Sequence, residues 1–128
     1  MGYRAGMSPT IFILYVPDQA AAAAFYRAVL GAEPTLDVPG MTEFPLPGGA
    51  ALGLMPEAGI QRLLPIEVTP RASRAELYLR VADPAAAHTR ALAAGAVELS
   101  ALADRDWGER VAYSRAPEGT VLAFAEPT

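Results

Sequence analysis

The chain has no cysteine, no lysine and no asparagine, and it carries one histidine, His88, and one tryptophan, Trp107. Without cysteine there is no disulfide, no thiolate metal site and no cysteine nucleophile. Without lysine there is no Schiff base and no phosphate-loop lysine. A single histidine cannot build a multi-histidine zinc, nickel or iron centre. Ser8, Ser73, Ser100 and Ser114 stand in no recognisable arrangement with His88, so a Ser-His-Asp hydrolase has no support. Pro47-Gly48-Gly49 lacks phosphate-loop spacing and reads as a turn, and no dinucleotide fingerprint occurs. All 10 basic residues are arginines; they form no stripe, and the formal net charge is -4. Nucleic acid is therefore not an expected partner. No run approaches the length of a membrane span, and no basic start precedes an apolar signal segment. A soluble, cytoplasmic protein with no membrane partner is the expectation.

What is present is a folded chain of 128 residues, 52% of them hydrophobic, enough for one compact domain with its own core. It is organised around a stretch that occurs twice. Ile11-Phe12-Ile13-Leu14-Tyr15-Val16-Pro17-Asp18 and Glu76-Leu77-Tyr78-Leu79-Arg80-Val81-Ala82-Asp83-Pro84 each alternate along a strand and run into Asp. Each Asp opens an alanine-rich helical segment that stops at Gly31 or Gly95. Side chains alternate along a strand, so Phe12, Leu14 and Val16 share one face and Ile11, Ile13 and Tyr15 the other. In the second copy Leu77, Leu79 and Val81 oppose Glu76, Tyr78 and Arg80. Two copies of one strand-turn-helix unit make an internal repeat.

In order, residues 1–9 form an N-terminal arm and 10–56 a first module: strand 10–16, helix 19–30, then strands 33–38, 42–45 and 50–55. Residues 57–73 read as a linker. The second module, 74–128, holds strand 75–81, helix 85–94 and strands 97–99, 110–115 and 120–125. Proline at the first helical position follows the cap at Asp83, and Ala116-Pro117-Glu118-Gly119 turns the last hairpin. On the first helix, Phe25, Val29, Ala21 and Ala22 are expected against the sheet.

Phe25-Tyr26-Arg27-Ala28-Val29-Leu30-Gly31, Trp107-Gly108-Glu109-Arg110 and Ala116-Pro117-Glu118-Gly119-Thr120-Val121-Leu122-Ala123-Phe124 carry a resemblance. With them the chain resembles the vicinal oxygen chelate superfamily, which includes glyoxalase I, bleomycin-resistance proteins and extradiol dioxygenases. The resemblance implies an α+β fold: two βαβββ modules forming a curled mixed sheet around a central cavity, with helices on the convex side. It implies a cavity wall of the strand residues that face away from the helices. It also places metal ligands, in relatives that use a metal, at positions held here by Ile11, Gly53, Glu76 and Ala123. Only Glu76 can coordinate, so no metal and no cofactor is expected. His88 falls mid-helix on the covering layer and reads as a surface histidine.

The candidate ligand-binding residues are Tyr15, Met55, Glu76, Tyr78, Arg80, Trp107 and Tyr113. Two readings of Glu76 and Arg80 stand. They satisfy each other, or Arg80 meets Glu109 or Asp106; alternatively Arg80 holds an anionic or carbonyl-bearing ligand, with Glu76 as orienter or catalytic general base. Trp107 reads as a cavity wall or as a subunit-contact anchor. The functional expectation is a metal-independent protein that sequesters a small organic ligand in an apolar cavity, as a homodimer. The rivals are a metal-assisted lyase or dioxygenase, an acid-base enzyme using Glu76, and an interaction module with a filled cavity. Small residues at the lost ligand positions are expected to leave room for the ligand.

Overall fold

A computed structural model describes residues 10–69, 72, 73 and 75–128. The arm at 1–9 and Arg74, the expected start of the second module, lie outside the described residues.

Each half builds a four-stranded mixed sheet with helices on one side. In the first, β1 (Ile11–Val16) lies parallel to β4 (Ala51–Pro56), which pairs antiparallel with β3 (Met41–Pro45), itself antiparallel to β2 (Leu36–Val38). The second repeats this order: β5 (Glu76–Arg80), β8 (Val121–Pro127), β7 (Glu109–Arg115) and β6 (Val97–Asp104). The fold is α+β with two βαβββ modules, as the repeat predicts. The two sheets share no ladder and do not close into one.

The helices form where their caps say. Asp18 Oδ1 accepts from the Ala21 N–H and opens α1 (Gln19–Leu30), and Gly31 closes it in the left-handed conformation. Asp83 Oδ1 accepts from the Ala86 N–H and opens α3 (Pro84–Ala93). The inward stripe of α1 is Ala23, Phe25, Tyr26 and Val29, with Ala22 partly buried against the same core; Ala21, expected there, is exposed instead. The expected linker contains a further helix, α2 (Glu57–Leu63), whose Ile60 is buried. β6 runs five residues beyond the expected strand end at Leu99, because its ladder to β7 continues through two register shifts as far as Asp104↔Arg110. β2 is shorter than expected at its start.

One core joins the modules. Phe25, Tyr26, Phe44, Leu52 and Leu54 from the first meet Leu79, Ala91, Leu122 and Phe124 from the second. Tyr26, wholly buried, donates its hydroxyl to Glu118 Oε1 at 2.7 Å, fastening α1 to the turn between β7 and β8. Burial and then the Glu118 charge push the Tyr26 phenol well above its ordinary range, so it stays a donor.

His88 is a correction. It is buried rather than on the surface, on the inward stripe with Pro84, Ala87 and Ala91. Its Nε2 lies 2.9 Å from Glu98 Oε1, and its Nδ1 has no protein partner. Glu98 is the cross-strand neighbour of Ser114, whose hydroxyl is also buried and unpartnered. No substrate reaches Ser114, which is 0% exposed, so Ser114 and His88 belong to the core, with Glu98 at its exposed rim.

Candidate binding surface

Strand register decides which candidate residues meet. On the second sheet the helix-free face carries the rows Glu76–Val121–Arg115, Tyr78–Ala123–Tyr113 and Arg80–Ala125–Val111. β8 contributes small side chains in the middle. Val111, Ala123 and Ala125 are 0% exposed, and Tyr78 and Tyr113 pack against them. The two rings therefore cover the floor. The space expected at Ala123 is filled by its tyrosine neighbours.

Above that floor four polar groups are locked together. Arg80 donates from Nε to Glu109 Oε2 at 2.9 Å and from Nη2 to Glu109 Oε1 at 3.1 Å. Tyr78 Oη donates to Glu109 Oε1 at 2.8 Å, and Trp107 Nε1 donates to Tyr78 Oη at 3.0 Å. This is the Glu109 form of the first reading of Arg80; the pair is not Glu76–Arg80. The hydrogen bonds from Arg80 and then Tyr78 hold the Glu109 carboxyl below its ordinary value. The same bonds raise Arg80. Partial burial raises Tyr78 and Tyr113, so neither phenol is a base near neutrality.

Arg105 is a residue that sequence reasoning missed. It sits in the β6–β7 turn, and its guanidinium donates to Ser100 Oγ, the Ala101 carbonyl and the Val111 carbonyl. It also lies 5.2 Å over the Tyr113 ring. The Arg105 N–H bonds to the Glu109 carbonyl, and the Gly108 N–H to the Arg105 carbonyl. These bonds fix the turn that presents Trp107, a residue 53% exposed. The register shifts of β6 that precede Arg105 have no signal in a periodicity pattern.

The first sheet supplies a different surface. Tyr15 pairs with Met55 and Ile13 with Gly53 on its helix-free face. Ile11, Ile13 and Tyr15 are exposed there, with Leu36 and Val38 from β2. Phe12, on the opposite side of the same edge strand, is 57% exposed. A cavity of 340 Å³ opens beside β1, and Ile13, Tyr15, Glu57, Glu67, Glu118 and Thr120 are among its lining residues. It takes Tyr15 from the candidate set but none of Glu76, Tyr78, Arg80, Trp107 or Tyr113.

The residues at the positions where relatives hold a metal do not fit one. Ile11 and Ala123 offer no donor. A Cβ on Gly53 would meet Ile13 Cγ1 at 3.1 Å, Ile11 Cγ2 at 3.2 Å and Met41 Sδ at 3.2 Å, so that position is packed. Among the described residues no three of His, Asp and Glu converge as a metal would need.

Residues 11–124 match the profile of a family described as Glyoxalase-like domain. No functionally curated protein matches the chain. Among solved structures, a glyoxalase-related enzyme from Fulvimarina pelagi superposes with a TM-score of 0.81 at 24% identity, over 91% of this chain and 85% of that one. A glyoxalase/bleomycin resistance protein/dioxygenase family enzyme from Burkholderia phytofirmans gives 0.80 at 19% identity, over 94% and 99%. A glyoxalase/bleomycin resistance protein/dioxygenase from Nocardioides gives 0.74 at 24%, over 92% and 82%. At these identities the likeness is one of fold.

Proposed function

From the premise that the chain belongs to the Glyoxalase-like domain family, within the vicinal oxygen chelate superfamily, we propose that it is a metal-independent cytoplasmic protein that binds a small organic molecule. The observation that carries this reading is the exchange of metal donors for packing: Ile11, Gly53 and Ala123 stand where ligands would, and Gly53 and Ala123 are overlaid by neighbours. Only Glu76 remains for a metal-assisted lyase or dioxygenase to draw on.

The binding surface is the helix-free side of the sheets: Tyr15 and Met55 on the first, Glu76, Tyr78, Arg80, Trp107 and Tyr113 on the second. Neither half encloses a ligand by itself. The rings of the second sheet form a platform, and the first sheet leaves Ile11, Ile13, Tyr15, Leu36 and Val38 exposed. A homodimer completes the cavity by covering that apolar face. No helix among the described residues is long and apolar enough to cross a membrane.

Native mass spectrometry of the purified protein tests this reading. A dimer carrying a dissociable organic adduct, with no metal mass, is the expected spectrum. A dimer whose only adduct is one divalent ion per chain overturns it.

A further inference from the structure

A second cavity lies beside α1, away from the helix-free surface proposed above. It is a cleft of 580 Å³ between α1 and the turn that joins β7 to β8. Asp18, Ala21, Ala22, Phe25 and Ala28 line it from α1 and its cap. Their spacing is that of one helix face, and the run from Ala21 to Ala28 is about 10 Å long. Ala94, just past α3, and Pro117 line the opposite side. Its size is that of small-molecule sites, and it is built as they are, from apolar walls with few polar groups.

Two carboxylates reach the cleft, and they are not equivalent. Asp18 is spent, because its Oδ1 accepts from the Ala21 N–H and caps α1. Glu118 is half-buried, and its Oε1 accepts from the wholly buried Tyr26 hydroxyl at 2.7 Å, which fixes the group in place. Among the described residues its Oε2 accepts no hydrogen bond and it forms no ion pair. None of the described residues that line the cleft carries a positive charge. An ionised carboxylate only accepts hydrogen bonds, and a charged donor is the partner that offsets the cost of its partial burial.

We infer that this cleft is a second binding site and that its ligand is an organic cation. A protonated amine donates to Glu118, and a slender apolar body lies along the alanine face of α1 against Pro117.

Three naphthalenes of one shape and different charge test it: 1-naphthylmethylammonium, 1-naphthylmethanol and 1-naphthoate, each titrated by calorimetry near neutrality. The cation is expected to bind about tenfold tighter than the alcohol, and the anion more weakly than both. Ala21→Phe, at an exposed helix position, fills the cleft and abolishes binding while the protein keeps its cooperative thermal transition. Ala21 borders this cleft and not the cavity beside β1, so that loss belongs to the cleft. Glu118→Gln keeps an acceptor for Tyr26, removes the charge and brings the cation level with the alcohol. No binding of the cation, binding that survives Ala21→Phe, or a preference that survives Glu118→Gln overturns the site. A fall in sedimenting mass caused by Ala21→Phe also overturns it, because another copy of the chain then fills the cleft.

Discussion

Glu109 concentrates the chemistry of the second sheet in one side chain. Its carboxylate accepts from Arg80 twice and from Tyr78 once, and its side chain is only 12% exposed. Those bonds favour the charged form and lower its pKa in the folded state. The sign follows from linkage. A carboxyl depressed on folding adds stability above its unfolded pKa, about 4.3 for glutamate, and loses it as pH falls through the lower folded value. Glu109→Gln is therefore less stable than the parent near neutrality, and the gap between the two thermal midpoints shrinks toward zero in acid. A gap that is constant or grows on acidification contradicts the assignment. His88 shows how much can be read at this scale. Pro84, Ala87, His88 and Ala91 follow the spacing of an inward helical stripe, so its burial was legible; repeat position alone placed it outside. The Arg80–Glu109 pair was legible only as one of several partners, because choosing it requires the register between β5, β8 and β7.

Elements were legible in proportion to their chemical punctuation. Asp18 and Asp83 announce both long helices, and the Gln19–Leu30 bounds of α1 are those the sequence predicts. The hairpin Ala116 to Gly119 is likewise where its proline and glycine put it. α2 was not legible, since Pro56, Gly59 and Pro65 give its surroundings the composition of a loop. The junction between modules was not legible either. Tyr26 and Glu118 are 92 positions apart, and no local pattern ties them. Tyr26→Phe removes that bond while Glu118 keeps access to solvent, so it costs about 1 kcal/mol. Urea unfolding checks this: one cooperative transition at a lower midpoint is expected, and an unchanged midpoint shows that the bond contributes nothing. The exposed edge at β1 makes a prediction of its own. Ile11 and Ile13 are exposed on the helix-free face of β1, the end strand of its sheet among the described residues. In the proposed dimer, which covers the helix-free face, Ile13→Asp weakens association at least about tenfold, the effect expected of a charge set into an apolar contact. Sedimentation equilibrium reads this directly. A parent protein that is monomeric at micromolar concentration refutes the dimer.

At the scale of the whole molecule, the repeat explains the fold and locates the positions at which the resemblance places metal ligands. Two βαβββ modules place equivalent strand positions on two helix-free faces, and in this chain three of the four ligand positions have become Ile11, Gly53 and Ala123. Those positions have not become empty space. Tyr78 and Tyr113 lie over Ala123, and Ile11, Ile13 and Met41 close around Gly53. The sequence shows which donors are missing. It does not show what fills their place, because that depends on side chains from neighbouring strands. Binding without a metal can be put to the proof in one titration. The protein is dialysed against a chelator and titrated with a planar aromatic probe, acridine, through Trp107 quenching, then titrated again with manganese or nickel added. Saturable quenching after chelation, with the same affinity when metal is present, is the expected result. Quenching that vanishes after chelation and returns with the ion would contradict it.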